Sequence, residues 1–179
     1  ASGPSLNEDI GNVTILNCDF NRGISSYSGP SYYDININNS VLGSLSLESA
    51  KRLVLKNFYI GGFSTTGCGG FNNSLIENGT IAGSFTNIAS SSCGTIPNIS
   101  NNTFNKVNFI VQTSLGSTSY GMYFQGNNNT IKNSTFSRSD SSTTGYSIYL
   151  VSGFENQFYY NKFLGTMTSE VYVTTPNNY

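Results

Sequence analysis

The feature that most constrains this chain is a repeat. Seven eight-residue windows align: VTILNCDF from Val13, ININNSVL from Ile35, LVLKNFYI from Leu53, SLIENGTI from Ser74, NTFNKVNF from Asn102, NTIKNSTF from Asn129 and NQFYYNKF from Asn156. Their starts lie 22, 18, 21, 28, 27 and 27 residues apart, a period typical of solenoids in which each repeat is one coil. The third position is large and apolar throughout (Ile15, Ile37, Leu55, Ile76, Phe104, Ile131, Phe158), and so is the eighth (Phe20, Leu42, Ile60, Ile81, Phe109, Phe136, Phe163). The fifth is Asn17, Asn39, Asn57, Asn78 and Asn133 in five windows, with Lys106 and Tyr160 in the others.

Strand side chains alternate faces, so an inward third position would leave the eighth outward. A sharp bend at the fifth residue restores the parity, and asparagine tolerates the left-handed backbone such a bend needs. Stacked ~4.8 Å apart, the five asparagines would form an amide ladder. A second polar column precedes the windows: Asn12, Asp34, Arg52, Asn73, Asn101, Asn128 and Glu155, with Asp34 and Arg52 as neighbours. A third strand per coil shows in YGMYFQGN from Tyr120 and YSIYLVSG from Tyr146, offset by 26, and in GSLSL from Gly43. Only Leu47 to Lys56 is arguable as helix, and Leu53 and Leu55 read better as strand. The expectation is an all-β chain. It forms one right-handed parallel β-helix of about seven coils with three short strands each, comprising an N-terminal edge segment 1–12, coils over 13–163 and a strand-like C-terminal edge segment 164–179.

Composition agrees. The chain is 9% charged and carries 25 Asn, 28 Ser and 17 Thr, against about 25% charge in ordinary domains. Disorder would come with few aromatics, whereas here there are 12 Phe and 12 Tyr. A net charge of −1 without any lysine or arginine run offers no electrostatic handle to nucleic acid or to an anionic membrane. No apolar stretch approaches the ~20 residues of a membrane span. Beginning at Ala1 rather than Met fits a secreted chain whose leader has been removed, as well as a trimmed chain.

Coils of the type Asn129 to Phe136, preceded by Tyr120 to Gly126, resemble the right-handed parallel β-helix repeats of the pectin-lyase-like superfamily. They are also similar to periplasmic copper-handling β-helix proteins and to archaeal surface β-helix proteins. The resemblance spans roughly Val13 to Phe163 and implies the fold; the superfamily includes lyases, tailspikes, adhesins and inert scaffolds. A copper role does not carry over, because the chain has no histidine and only Met122 and Met167.

Without histidine, His-based triads and His metal sites are excluded, and no metal or other cofactor is expected. Among acidic residues only Asp19 and Glu77 fall inside the windows, in different columns and three coils apart, so no stacked carboxylate pair is implied. Loops remain the place where Asp140 and Glu155 would meet. No enzymatic activity is expected. Cys68 and Cys93 are one coil apart, which predicts a disulfide, the alternative being two buried thiols. Cys18 is left over, as a packed thiol or a link to another subunit. Sequons at Asn12, Asn38, Asn72, Asn98, Asn101 and Asn128 are glycosylation candidates; Asn78 and Asn133 also begin sequons but belong to the expected ladder and are poorer acceptors. Tyr120, Tyr123, Tyr146 and Tyr149 are candidate sugar-stacking residues, although cross-strand packing explains them more simply.

Seven coils give a rod about 34 Å long with two open ends. The expected function is therefore that of an extracellular, secreted structural protein, a self-associating subunit of a cell-surface filament or layer, adhesive and glycosylated. The competing expectation is a carbohydrate-binding or carbohydrate-cleaving β-helix of the lyase or tailspike kind.

Overall fold

The computed structural model describes residues 10–25, 32–88, 99–111, 118–138, 145–165 and 168–179. None of these is helical, and they form nineteen strands in one hydrogen-bonded network. Every pairing among them is parallel. The seven windows lie on one another in the register their sequence sets: Ile15 pairs with Ile37, then Leu55, Ile76, Phe104, Ile131 and Phe158 follow in turn. A further column runs Ile24, Leu45, Phe63, Phe85, Met122, Ile148, Val171. Another runs Tyr32, Ala50, Phe71, Ile99, Gly126. Stacked parallel strands at this repeat are consistent with a β-solenoid. The arguable helix is strand on both sides, Leu45–Lys51 and Val54–Ile60.

Two columns of left-handed residues create the bends. All seven fifth-position residues have φ between 50° and 57°, Lys106 and Tyr160 included. All seven residues preceding the windows, from Asn12 to Glu155, have φ between 55° and 59°. Left-handed backbone costs a residue with a Cβ roughly 1–2 kcal/mol, least for Asn and Asp, so the asparagine enrichment follows from geometry. Arg52, Lys106, Glu155 and Tyr160 take the same φ without asparagine's preference for it.

Between the bends the apolar positions meet inside. Leu55, Ile60, Ile76, Ile81, Phe104, Phe109, Ile131 and Phe136 are fully buried. Phe109 and Phe136 stack face to face at 4.6 Å, and Phe63, Phe85 and Phe104 meet edge to face at 5.0 and 5.1 Å. Such contacts add about 0.5–1.5 kcal/mol each beyond the area they bury.

The amide ladder forms chiefly in a different column from the expected one. Along the fifth position only Asn78 Nδ2 to Asn57 Oδ1 (2.6 Å) is a rung. Asn57 donates instead to Asn38, and Asn133 to Asn105, each a fourth-position neighbour. The left-handed bend turns fifth-position side chains to solvent, and all seven are exposed. The residue after a bend points inward, and there the buried ladder stands. Oδ1 of Asn102, Asn129, Asn156 and Asn178 accepts the main-chain N–H one repeat earlier, from Ser74, Asn102, Asn129 and Asn156, at 3.0–3.1 Å. Nδ2 of Asn102, Asn129 and Asn156 donates to the carbonyls of Phe71, Ile99 and Gly126 at 2.7–3.1 Å. These bonds satisfy the main-chain groups that the bends expose within the interior.

The repeat also reaches further than its expected limits. The first strand begins at Ile10, and Ser169–Val173, expected as an edge able to pair with another chain, pairs with Tyr146–Leu150 of its own. After it Asn177 takes φ 61° and Asn178 enters the ladder, so 177–179 repeat the start of a window.

Candidate functional site

Three surfaces carry chemistry: the two ends of the stack, a tyrosine flank and a shallow groove. At the ends the core columns become half-exposed. Val13, Ile15, Phe20 and Ile24 at the first repeat, and Phe158, Phe163, Val171 and Val173 at the last, are only partly buried, whereas their counterparts in central repeats are sealed. Among the described residues Ile10–Leu16 pairs on one side only, as do Lys162–Phe163 and Ser169–Val173, whereas Tyr179 lies along Gln157–Tyr159, its carbonyl accepting from the Phe158 N–H. Leu16, Phe154, Leu164 and Tyr160 add exposed apolar surface near these ends. Cys18 also sits at the first repeat as a free thiol, donating to the Leu16 carbonyl at 3.2 Å.

The tyrosine flank is built by parallel pairing, with Tyr120 on Tyr146 and Tyr123 on Tyr149 on Tyr172. Ring centroids lie 5.9 Å apart in the first pair and 5.5 and 4.9 Å apart in the second series, with interplanar angles of 12°, 22° and 28°. The two series touch edge to face, Tyr120 against Tyr123 at 4.9 Å and Tyr146 against Tyr149 at 5.0 Å. Burial, and after it the neighbouring phenols, push the Tyr120 and Tyr149 hydroxyls above the ordinary tyrosine range. Because the rings face one another, most of each face is spent on its neighbour, and a sugar would meet edges and hydroxyls. Tyr172, absent from the sequence-level candidates, extends the series by one repeat. Its pairing with Tyr149 could have been read from the offset of 23.

The groove crosses three repeats beside the fifth-position bends and has a volume of about 420 Å³. Asn39, Asn57 and Asn78 line it with Val41, Tyr59 and Thr80, and Lys106 closes one end. It exists because two residues depart from their column. Phe58 takes the place that Ser40 holds one repeat earlier, and Gly79 in the next repeat leaves room for its ring, which a Cβ there would strike. Beside it Glu77 accepts from Asn105 at 2.7 Å and pairs with Lys56 at 3.4 Å. The Asn105 bond first, then Lys56 and Lys106, outweigh burial and hold its carboxyl below the ordinary range.

The remaining sequence candidates fall as follows. Asn12, Asn101 and Asn128 are exposed at bends, and Asn38 and Asn72 are half-buried. Asn78 and Asn133 are exposed, but the Nδ2 a glycan would need is engaged. Asn98, Asp140 and Cys93 lie outside the described residues, as does the Cys68 side chain, and the expected disulfide with them. Asp34 and Arg52 meet as expected, at 2.6 and 2.7 Å, which holds the carboxyl below its ordinary range. Among the described residues no three His, Cys, Asp or Glu converge on a metal-sized site, and no helix is long and apolar enough to cross a membrane. No family model, curated protein or solved structure matches the chain, so any reading of its function rests on these three surfaces.

Proposed function

We propose that the stack closes into a single right-handed β-helix with three strands per coil and serves as an extracellular structural subunit, assembling head to tail through its ends. The observation that carries this reading is the continuation of three core columns, half-exposed, into both terminal repeats. Phe158, Phe163 and Val171 occupy the same columns as Ile15, Phe20 and Ile24, so a second copy would add its first repeat as though it were the next one. Open parallel edges favour such addition, and a head-to-tail contact of this kind propagates rather than closes. Low charge and an Asn/Ser/Thr surface suit an extracellular rod, and the exposed sequons are where glycans would attach. The reading assigns no catalytic step.

Light scattering and negative-stain microscopy across a concentration series test it. The wild-type chain should grow in mass with concentration and form rods in steps of about 34 Å. Ile15→Lys combined with Phe158→Lys should stay monomeric with an unchanged circular dichroism spectrum. A wild-type protein that remains strictly monomeric at high concentration sinks the proposal.

The groove favours a second reading, in which the flank takes a carbohydrate chain. Its amides recur at the coil spacing of ~4.8 Å, close to the length of one sugar unit in an extended chain, and Tyr59 offers an exposed ring beside them. Glycan-array binding abolished by Tyr59→Ala would support it. An array without a hit would end it.

A further inference from the structure

We propose that the tyrosine flank is a site of oxidative cross-linking, where Tyr149 and Tyr172 become joined by a carbon–carbon bond between ring positions ortho to their hydroxyls. The argument starts from spacing. Tyr149 and Tyr172 are directly paired on adjacent parallel strands, and their rings stack at 4.9 Å and 28°, the shortest centroid distance between rings of different repeats on this flank. Five phenols form one connected chain of ring contacts here: Tyr120, Tyr123, Tyr146, Tyr149 and Tyr172. A radical formed on any of them is passed among neighbours of the same chemistry, and the chain has no tryptophan to drain it away. The bond forms where a ring can move. Tyr172 meets that need, being 43% exposed on a strand whose outer edge is unpaired among the described residues. Tyr120 and Tyr123 also approach to 4.9 Å, but they belong to one strand, and joining them would connect no two repeats.

The reaction needs an external one-electron oxidant, and a haem peroxidase with hydrogen peroxide supplies it. Each phenol gives up one electron to the oxidant and one proton to solvent. The two phenoxyl radicals combine through their ortho carbons, and the ring hydrogen at each joined carbon moves to the oxygen as aromaticity returns. Two phenols and one peroxide thus give one biphenol and two waters. The product closes a loop within the chain and adds a covalent tie between the last repeat and the one before it, which strand pairing, ring stacking and side-chain hydrogen bonds already hold together. Cross-linking of this kind removes entropy from the unfolded chain. The inference does not depend on what the ends of the rod bind.

The test uses the whole purified chain, dilute, with a haem peroxidase and hydrogen peroxide. Expected are dityrosine fluorescence, a monomer mass lower by two hydrogens and a higher melting temperature. Trypsin cuts after Arg138 and Lys162 and so separates the two residues; fragmentation of the joined peptides should place the bond at Tyr149 and Tyr172. Tyr172→Phe and Tyr149→Phe should each lose the intramolecular product while keeping the wild-type circular dichroism spectrum. Tyr160→Phe, which removes the hydroxyl of the most exposed tyrosine among the described residues (83%), should keep it. A bond mapped to Tyr159, Tyr160 or Tyr179, a signal confined to covalent dimers, or no dityrosine at all would overturn the proposal.

Discussion

Replacing Asn129 with alanine is expected to cost about 2–6 kcal/mol, because a buried amide is removed from the middle of a ladder. Asn129 is fully buried. Its Oδ1 accepts from the Asn102 main-chain N–H at 3.1 Å and its Nδ2 donates to the Ile99 carbonyl at 3.1 Å. Alanine leaves both main-chain groups unsatisfied in an interior that admits no obvious substitute, at about 1–3 kcal/mol each. Asn102 Nδ2 keeps the Phe71 carbonyl but loses Asn129 Oδ1, and Asn156 Oδ1 keeps the Asn129 N–H, so the damage stops at two main-chain groups and one amide hydrogen. Chemical denaturation measures the total, and hydrogen exchange should place the loss at Asn102 and its neighbours. Asn133→Ala is the control. Asn133 is exposed, its one amide bond is replaced by water, and the expected cost is about 1 kcal/mol, mostly from left-handed backbone. Asn133→Gly should be nearly neutral. Equal losses at Asn129 and Asn133 would mean that the buried ladder contributes nothing special.

That contrast shows where the sequence was legible. Strand register and the bend at the fifth residue follow from parity: apolar side chains five positions apart cannot both face inward unless something flips between them. The argument needs no asparagine, which is why Lys106 and Tyr160 obey it. The polar column before the windows has the same cause and was visible only as polarity, because Asp34, Arg52 and Glu155 hide the shared φ behind different chemistry. The buried ladder was written in the doublets Asn101-Asn102, Asn128-Asn129, Glu155-Asn156 and Asn177-Asn178, a bend residue followed by an inward amide. It escaped notice because Val13, Ile35 and Leu53 hold that place in the early repeats, where the column reads as apolar. Tyrosine stacking followed from the offset of 26 between two strands. The groove could not be foreseen, since it arises where Phe58 and Gly79 break their column, and a periodic reading averages such exceptions away.

Gly126→Ala should be about as damaging as Asn129→Ala, and through the same neighbours. Gly126 pairs with Ile99 and has φ 153°, a backbone that side chains rarely adopt. A Cβ there would overlap the Ile99 carbonyl, the group that receives Asn129 Nδ2. Backbone strain of about 1–3 kcal/mol and an overpacking cost of similar size set the expectation at roughly 2–6 kcal/mol. The Gly126 carbonyl in turn receives Asn156 Nδ2 at 2.7 Å, so a shift at this residue reaches two rungs. Gly62→Ala is the counterpart: its Cβ would meet nothing within 4 Å, and the change should be neutral or stabilising by up to about 1 kcal/mol. Because Gly126→Ala and Asn129→Ala both spoil the bond at the Ile99 carbonyl, the double variant should lose less than the sum of the two, by about 0.5–3 kcal/mol. Denaturation of the two single variants and the double variant measures that coupling. Strict additivity would mean that the methyl is absorbed without moving the carbonyl, and that the ladder and the glycine column stabilise the stack independently.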